Sequence, residues 1–293
     1  MNKIAIITVT YNAAEYLSDF LNSLNLQENK NFKVFFVDNY SSDNTLELIK
    51  KYSKFEFQII SNQANFGVAK GNNIGIKKAM SENINWILLA NNDITFDSNI
   101  LLKFNEIIDT YDSEFSVFVP KIYDISSPPR VWYSGGGFSL LKGNTGYHRK
   151  LFSKDSKVYN KHKKVAYSPT CFMLINSNVF DKVGYMDEKY FVYYDDTDFC
   201  WRLKKQNIPI LYLGSISITH KIGSSTGGID SDFTIKYSSR NRVYFLRKSF
   251  GWPTLIFFLP IFFLYYFYKY LLASKNFYKF KLSIKGLIKG LTL

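Results

Sequence analysis

Four apolar runs, each ending in a polar cluster and separated from the next by a helical stretch, restrict this chain more than any other feature. Residues 4–10 (Ile-Ala-Ile-Ile-Thr-Val-Thr) form a β-branched run of the kind covered on both faces in a parallel sheet. Runs at 33–37, 57–60 and 86–89 repeat it. Between them lie a helical segment from about Ala14 to Leu26, one carrying Leu46, Ile49 and Tyr52, and one closing near Met80. Strand and helix alternating over short connections predict a doubly wound, mostly parallel α/β sheet, which binds ligands beyond the carboxyl ends of its strands. The unusual polar clusters, at 10–12, 38–43, 65–73 and 91–93, all fall at those ends. The Gly-rich stretch 65–75 lacks both G-x-G-x-x-G and the P-loop Lys-Ser/Thr, which speaks against hydride transfer and ATPase chemistry. It reads either as a loop with a helix cap, or as backbone amides and Lys70 facing a diphosphate at a helix N-terminus.

Beyond about residue 115 the pattern changes. Strands are expected at 117–120, 165–175, 210–213 and 216–220, with an extended, glycine-turned segment at 131–138. Residues 142–164, rich in Lys, Asn and Ser, read as a mobile loop, and 180–188 as a short helix and turn. A helix to about Gln206 opens on Tyr193-Tyr194-Asp195-Asp196-Thr197-Asp198, three carboxylates in four positions. Acids in a first helical turn satisfy free N–H groups and suit the dipole, which alone would explain them. A second acidic site changes the reading: Asn91-Asn92-Asp93 abruptly ends the fourth apolar run. A strand-end carboxylate for a metal, paired with a carboxylate cluster for proton transfer, is what chemistry on phosphate-linked substrates needs. His220 ends a strand just before a Gly/Ser stretch at 222–225, well placed for a ligand, although a lone His is usually structural.

In order and spacing, Val9-Thr10-Tyr11-Asn12, Val37-Asp38-Asn39-Tyr40-Ser41-Ser42-Asp43, Asn65-Phe66-Gly67 through Asn72-Asn73, Asn91-Asn92-Asp93, Met186-Asp187-Glu188, Asp195-Asp196-Thr197-Asp198 and His220 resemble an inverting family-2 glycosyltransferase of GT-A fold. The likeness is to the rhamnosyltransferase-like branch used in bacterial surface polysaccharides, and it spans about residues 4–250. It implies a Rossmann-like, mostly parallel sheet with a mixed acceptor-side half. A nucleotide-sugar half would occupy 1–115, an acceptor-binding and catalytic half 116–235, and a basic aromatic segment 236–293. Thr10, Tyr11 and Asp38 would hold base and ribose with Asn12 and Asn39 close by, and Lys70 and Asn73 would approach the sugar diphosphate. Asp93 matches the last position of the family's D-x-D motif and would bind Mg2+ or Mn2+ through the diphosphate. Asn91 and Asn92 replace or precede its other carboxylate and are grouped with the donor contacts. His220 would complete the metal site or touch the diphosphate. Asp196 matches the general base of a Glu-Asp motif. Asp195 stands where the family has Glu, so the base assignment is open between the two.

The implied reaction moves a sugar from a nucleoside-diphosphate donor, dTDP-rhamnose ahead of UDP-sugars, to a polyprenyl-diphosphate-linked saccharide in O-antigen or capsule synthesis. A sugar-phosphate nucleotidyltransferase is the competing enzyme, but the early Gly-rich basic signature it wants is missing from Thr8 to Asn12. A non-catalytic sugar-nucleotide binder would have no need of the base. A homodimer is left open.

Charge divides the chain. Net charge is +13, and beyond Asp232 lie eleven Lys and Arg without one acid, leaving the first 232 residues near neutral. Trp252 to Tyr268 is uncharged, largely Leu, Ile, Phe and Tyr, and broken by Pro253 and Pro260. Arg242, Arg247 and Lys248 precede it and Lys269, Lys275 and Lys279 follow, so a span would set one cluster against the positive-inside rule. The reading favoured over a span or a buried oligomer helix is a helix in the cytoplasmic leaflet of the plasma membrane, its lysines on anionic lipid. The apolar run argues against nucleic acid as the partner of the basic surface. Two cysteines, Cys171 and Cys200, are too few for a disulfide framework and point to a reducing compartment, and the N-terminus reads as a first strand rather than a signal peptide.

Overall fold

The computed structural model describes residues 1–149, 151–221, 227–228 and 230–293, without the side chain of residue 142. Its first ninety residues alternate as expected: β1 (Ile4–Thr10), α1 (Leu17–Asn25), β2 (Phe32–Asp38), α2 (Thr45–Tyr52), β3 (Phe57–Ser61), α3 (Gly67–Ser81) and β4 (Trp86–Ala90). β2 pairs in parallel with both β1 and β3, and β1 with β4. The order β3-β2-β1-β4 reverses direction between β1 and β4, the crevice where an open α/β sheet takes its ligand.

The second half extends the same sheet in mixed sense. β5 (Ile94–Phe96), α4 (Ile100–Tyr111), β6 (Val117–Asp124), β7 (Val131–Tyr133), β8 (Gly136–Ser139), β9 (Thr145–His148), β10 (Lys163–Val165), β11 (Phe172–Asn176), α5 (Asn178–Val183), α6 (Asp195–Lys205) and β12 (Ile210–His220) follow in turn. β11 runs antiparallel between β4 and β6, and β12 lies parallel to β6. The carboxyl ends of β1, β4 and β12 therefore share one edge with the amino end of β11. Aromatic and aliphatic side chains such as Phe35, Phe118, Phe172 and Phe199 fill the layers between sheet and helices.

Three local expectations are corrected. Residues 142–164 are not a bare loop: β9 pairs with β8 in a hairpin, a 3-10 turn covers Lys157–Asn160, and β10 closes the far edge of the sheet. The stretch 165–175 is two strands rather than one. The two strands expected at 210–213 and 216–220 are one, its register against β6 shifting between Leu213 and Ser217 as at a β-bulge.

The C-terminal segment is α7 (Asp232–Tyr266), a π-helical turn (Phe267–Ala273) and α8 (Phe277–Leu291). α7 is not straight. A continuous helix would separate Arg242 from Phe262 by about 30 Å, yet the guanidinium lies 5.0 Å from that ring. The reversal is at Gly251, whose φ of 80° and ψ of 176° leave the helix, with Pro253 just beyond. Lys269 then returns to Asp230 at 2.8 Å, and Gly286 and Gly290 of α8 close on Ser239 and Val243. The segment is a three-helix bundle packed around Ile235, Val243, Leu255, Phe262, Tyr266 and Leu287.

Candidate active site

Two adjoining cavities open at the β1/β4 edge and share Val68, Asn91, Asp93, Thr170 and Val192. The first, of about 140 Å3, is lined by Tyr11, Asn39, Asn65, Asn72 and Asn92 among others. The second, of about 480 Å3, is lined by Asp195, Asp196, His220, His148, Tyr167 and Arg242. Asp93 and Asp196, a hundred residues apart in the chain, thus face one cleft.

The register of the sheet explains the pairing at its floor. β5 runs antiparallel to β12 with Ile94 opposite His220, and Lys221 N–H donates to the Asp93 carbonyl at 2.9 Å. This sets His220 Nε2 3.0 Å from Asp93 Oδ1. Burial penalises charge on this ring, but the Cys171 sulfur and the Asp93 carboxylate outweigh it and push His220 up to about 10. Trp132 stands edge-on to both His220 and His148, at 5.2 and 4.5 Å between ring centres. Burial holds His148 below the ordinary imidazole range.

Around the smaller cavity the expected residues divide. Tyr11, Asn39, Asn91 and Asn92 stand in its walls. Thr10, Asp38 and Asn12 stand behind them: Thr10 Oγ1 donates to Asp38 Oδ1 at 3.0 Å, Ser41 donates to both Asp38 oxygens, and Asn12 accepts from Ser42 N–H at 2.8 Å. Asn73 is turned away. It bonds Met186 N–H, the Met186 carbonyl and Glu188, fastening α3 to the stretch before α6, while its neighbour Asn72 lines the cavity. The helix N-terminus at 67–70 differs from the diphosphate cradle expected there. Gly67 N–H is taken by Asn65 Oδ1 and Val68 N–H by the Phe191 carbonyl at 2.6 Å, and Lys70 lies over the Phe66 ring. Gly67 itself has φ +81° and a Cβ there would sit 2.3 Å from the Phe191 oxygen. The Gly/Ser stretch at 222–225 lies outside the described residues.

The acid pair begins α6, and the loop before it is in an unusual conformation: Phe191, Tyr193 and Tyr194 all have positive φ. α7 holds that loop. Asn241 Nδ2 donates to the carbonyls of Tyr190, Val192 and Tyr193 at 2.7–3.0 Å, and Arg240 to those of Lys189 and Tyr190. Asp196 Oδ2 accepts from Tyr167 O–H at 2.8 Å and its Oδ1 from Thr197 N–H at 2.6 Å. Burial raises Asp196, tempered by the Tyr167 bond. Burial first, and then the charge of Asp196, push Asp195 up to about 7. Two buried carboxyls side by side share their protons as a pair. Asp198 does something else: it pairs with Arg202 at 2.8 Å and with Lys248 of α7 at 2.7 Å.

One carboxylate and one imidazole, converging at the cleft floor, are hard and borderline donors suited to Mg2+ or Mn2+ when substrate oxygens complete the shell. Among the described residues no group of three or more His, Cys, Asp or Glu side chains offers a metal site. The residues fit an ion shared with a diphosphate, not a protein cage, and the ion would displace the proton of His220.

A family model described as glycosyl transferase family 2 matches residues 5–184, the α/β body that carries Asp93 and the approach to α6. The chain belongs to glycosyl transferase family 2. A low-salt glycan biosynthesis hexosyltransferase of Haloferax volcanii is 27% identical over 207 residues, 70% of this chain and 64% of that one. The poly(ribitol-phosphate) beta-N-acetylglucosaminyltransferase TarS of Staphylococcus aureus is 26% identical over 54% of this family-2 chain and 30% of its own length. The chain therefore spans less than two thirds of these first relatives. An N-acetylglucosaminyl-diphospho-decaprenol L-rhamnosyltransferase of Mycobacterium tuberculosis is 21% identical over 273 residues, 84% of this chain and 85% of that one. In fold, the crystal structure of TarS residues 1–349 with UDP-GlcNAc matches at a TM-score of 0.62, 19% identity, and 99% and 81% coverage of the two chains.

Several residues of this family-2 cleft carry no signal in the sequence. Tyr167, His148, Trp132 and Arg242 belong to no spaced motif, and their convergence needs the sheet. Arg242 was legible as part of a basic run, which points outward to lipid rather than inward to the cleft.

Proposed function

We propose that the protein transfers a sugar, rhamnose ahead of others, from a nucleoside-diphosphate sugar to a saccharide carried on polyprenyl diphosphate, inverting the anomeric centre, in synthesis of a bacterial O-antigen or capsule. The observation that carries the reading is Asp93 and Asp196 facing one cleft. Rhamnose and a lipid-linked acceptor are supported by the name of the mycobacterial relative. A UDP-sugar donor stays next in line because the TarS fold neighbour holds UDP-GlcNAc.

In this scheme the smaller cavity takes the nucleotide, with Tyr11, Asn39, Asn91 and Asn92 against it and Thr10, Asp38 and Asn12 stiffening its wall. Asp93 and His220 are the residues that would hold a divalent ion there. When bound, that ion offsets the negative charge that grows on the leaving nucleoside diphosphate. Asp196, oriented by Tyr167 and Thr197, takes the proton of the acceptor hydroxyl as its oxygen bonds the anomeric carbon from the opposite face. The bond to the diphosphate oxygen breaks with its electron pair leaving on that oxygen, and the proton stays on the Asp195/Asp196 pair. The exposed aromatic face of the C-terminal bundle supports work at the cytoplasmic membrane surface.

The test is a panel of nucleotide sugars offered with Mg2+ or Mn2+, with and without EDTA, to wild type and Asp196→Asn. Transfer or slow donor hydrolysis should be present in wild type, lost with EDTA, and lost in Asp196→Asn while donor binding survives. Equal turnover by the variant would refute the base.

A further inference from the structure

Of the cations in the C-terminal segment, three lie at the catalytic half and two are spent on the protein itself. Arg240 bonds the carbonyls of Lys189 and Tyr190, and Lys248 bridges Asp187 and Asp198 at 2.8 and 2.7 Å. Arg242 is different. It stands in the wall of the larger cavity with Asp195, Asp196, Thr234 and Ser238, and it is absent from the smaller, nucleotide-side cavity. Its Nε donates to Tyr194 O–H at 2.9 Å, and among the described residues no carboxylate pairs with it. The guanidinium is partly buried and faces the cavity, so it is open to an anion entering from that side.

Its surroundings name the kind of anion. The guanidinium plane lies against Phe262 and Tyr265, 5.0 and 5.9 Å from their ring centres, both on the returning half of α7. The outer face of that same half exposes Ile261, Leu264 and Tyr265, and the π-helical turn that follows exposes Tyr268. One charged fork therefore sits where the base side of the cleft meets an apolar helix surface. Guanidinium matches phosphate oxygens two at a time, and the adjoining rings and aliphatic side chains suit hydrocarbon.

We propose that Arg242 is an acceptor-recognition residue: it binds the phosphate of an amphiphilic prenyl-phosphate acceptor, whose hydrocarbon runs onto the exposed face of residues 256–268. The assignment rests on the glycosyl-transfer reading for the word acceptor, and on the cleft geometry for the binding itself. It makes the C-terminal bundle part of the substrate site.

The experiment is calorimetric, on the full chain, with the nucleotide cavity kept filled by saturating nucleoside diphosphate and Mg2+. Farnesyl diphosphate, farnesol and inorganic diphosphate are titrated into wild type, Arg242→Gln and Arg242→Lys. Wild type should bind farnesyl diphosphate at least tenfold more tightly than either fragment. Arg242→Gln should lose about 10- to 100-fold for farnesyl diphosphate, the range for a charged hydrogen bond, with farnesol and nucleotide affinities unmoved, and Arg242→Lys should recover part. Equal affinity in wild type and Arg242→Gln overturns the proposal, as does a wild type that ranks farnesol with farnesyl diphosphate. Inorganic diphosphate binding as tightly as farnesyl diphosphate overturns the lipid half and leaves a free-anion site. If circular dichroism shows Arg242→Gln unfolded, the wild-type ranking and the lysine variant decide. None of these measurements needs turnover. A protein inert on every donor yet showing Arg242-dependent binding would defeat the transferase reading alone, and a working transferase with an indifferent Arg242 would defeat this one alone.

Discussion

Asp195 and Asp196 are buried next to each other, and that adjacency sets how the cleft responds to pH. With Asp195 raised to about 7, the pair takes up a proton as pH falls through neutrality. A base must be ionised, so kcat/KM should fall on the acid side with an apparent pKa near 7. Asp195→Asn removes the repulsion and should move that limb to lower pH, which a pH profile of variant against wild type would detect; an unmoved limb would free Asp196 from its neighbour. The same pair costs stability. Its folded pKa lies above the unfolded value near 3.9, so the folded state binds the extra proton between those values, and stability declines as pH rises from about 3.9 to about 7 and levels off above it. Asp195→Asn should therefore raise the melting temperature at pH 8, with the gain shrinking toward pH 5. Asp93 and His220 were legible in the sequence because each ends an apolar run, and the two acids because three carboxylates crowd four positions ahead of a helix. Tyr167 and His148 were not, because a single aromatic or imidazole side chain has no spacing that distinguishes a cleft wall from any other packing site.

At the scale of elements, the loop before α6 is held from two sides. Phe191 gives its carbonyl to the start of α3, and Asn241 of α7 ties Tyr190, Val192 and Tyr193. Gly67→Ala would drive a methyl into the Phe191 oxygen at an already left-handed φ, so it should destabilise by about 1–3 kcal/mol and weaken nucleotide binding, read by thermal unfolding and nucleotide titration together. Asn241→Leu strands the Val192 and Tyr193 carbonyls, while Tyr190 keeps Arg240, and should cost a similar amount, about 1–3 kcal/mol, with kcat falling further than KM as the acid pair loses its support. Nucleotide affinity falling instead of kcat would show that the loop serves the other cavity. The four β-α units were legible because strands covered on both faces read as unbroken apolar runs. The three- and four-residue strands β5, β9 and β10 were not, since so short a stretch has no period, and a bulge in β12 imitated a break between strands.

For the molecule as a whole, the C-terminal segment is structural support on its inner side and exposes large apolar side chains on its outer side. Together, α7 and the π-helical turn run 42 residues and contain an 18-residue stretch of mean hydropathy 1.7, long and apolar enough to cross a membrane by length and composition, yet the reversal at Gly251 divides them into two shorter helices. Part of the basic run in the same region faces the protein: Arg240 and Lys248 are engaged by the body, and Arg247 bonds the Leu291 carbonyl. Lys275, Lys281, Lys285 and Lys289 remain exposed for a surface. Ile256 and Leu264, 67% and 62% exposed, lie on the outer face. Ile256→Glu with Leu264→Glu should cut partition onto vesicles containing anionic lipid by tenfold or more while the melting temperature stays within a degree or two. Vesicle binding that survives both changes would point to the lysines alone. During synthesis the acid pair emerges from the ribosome well ahead of Asn241, so the nascent chain leaves its reactive loop without the clasp that shapes it. Competence then waits for the helix that carries Asn241 to close behind the loop, and a chain truncated upstream of that clasp would leave the trigger unset.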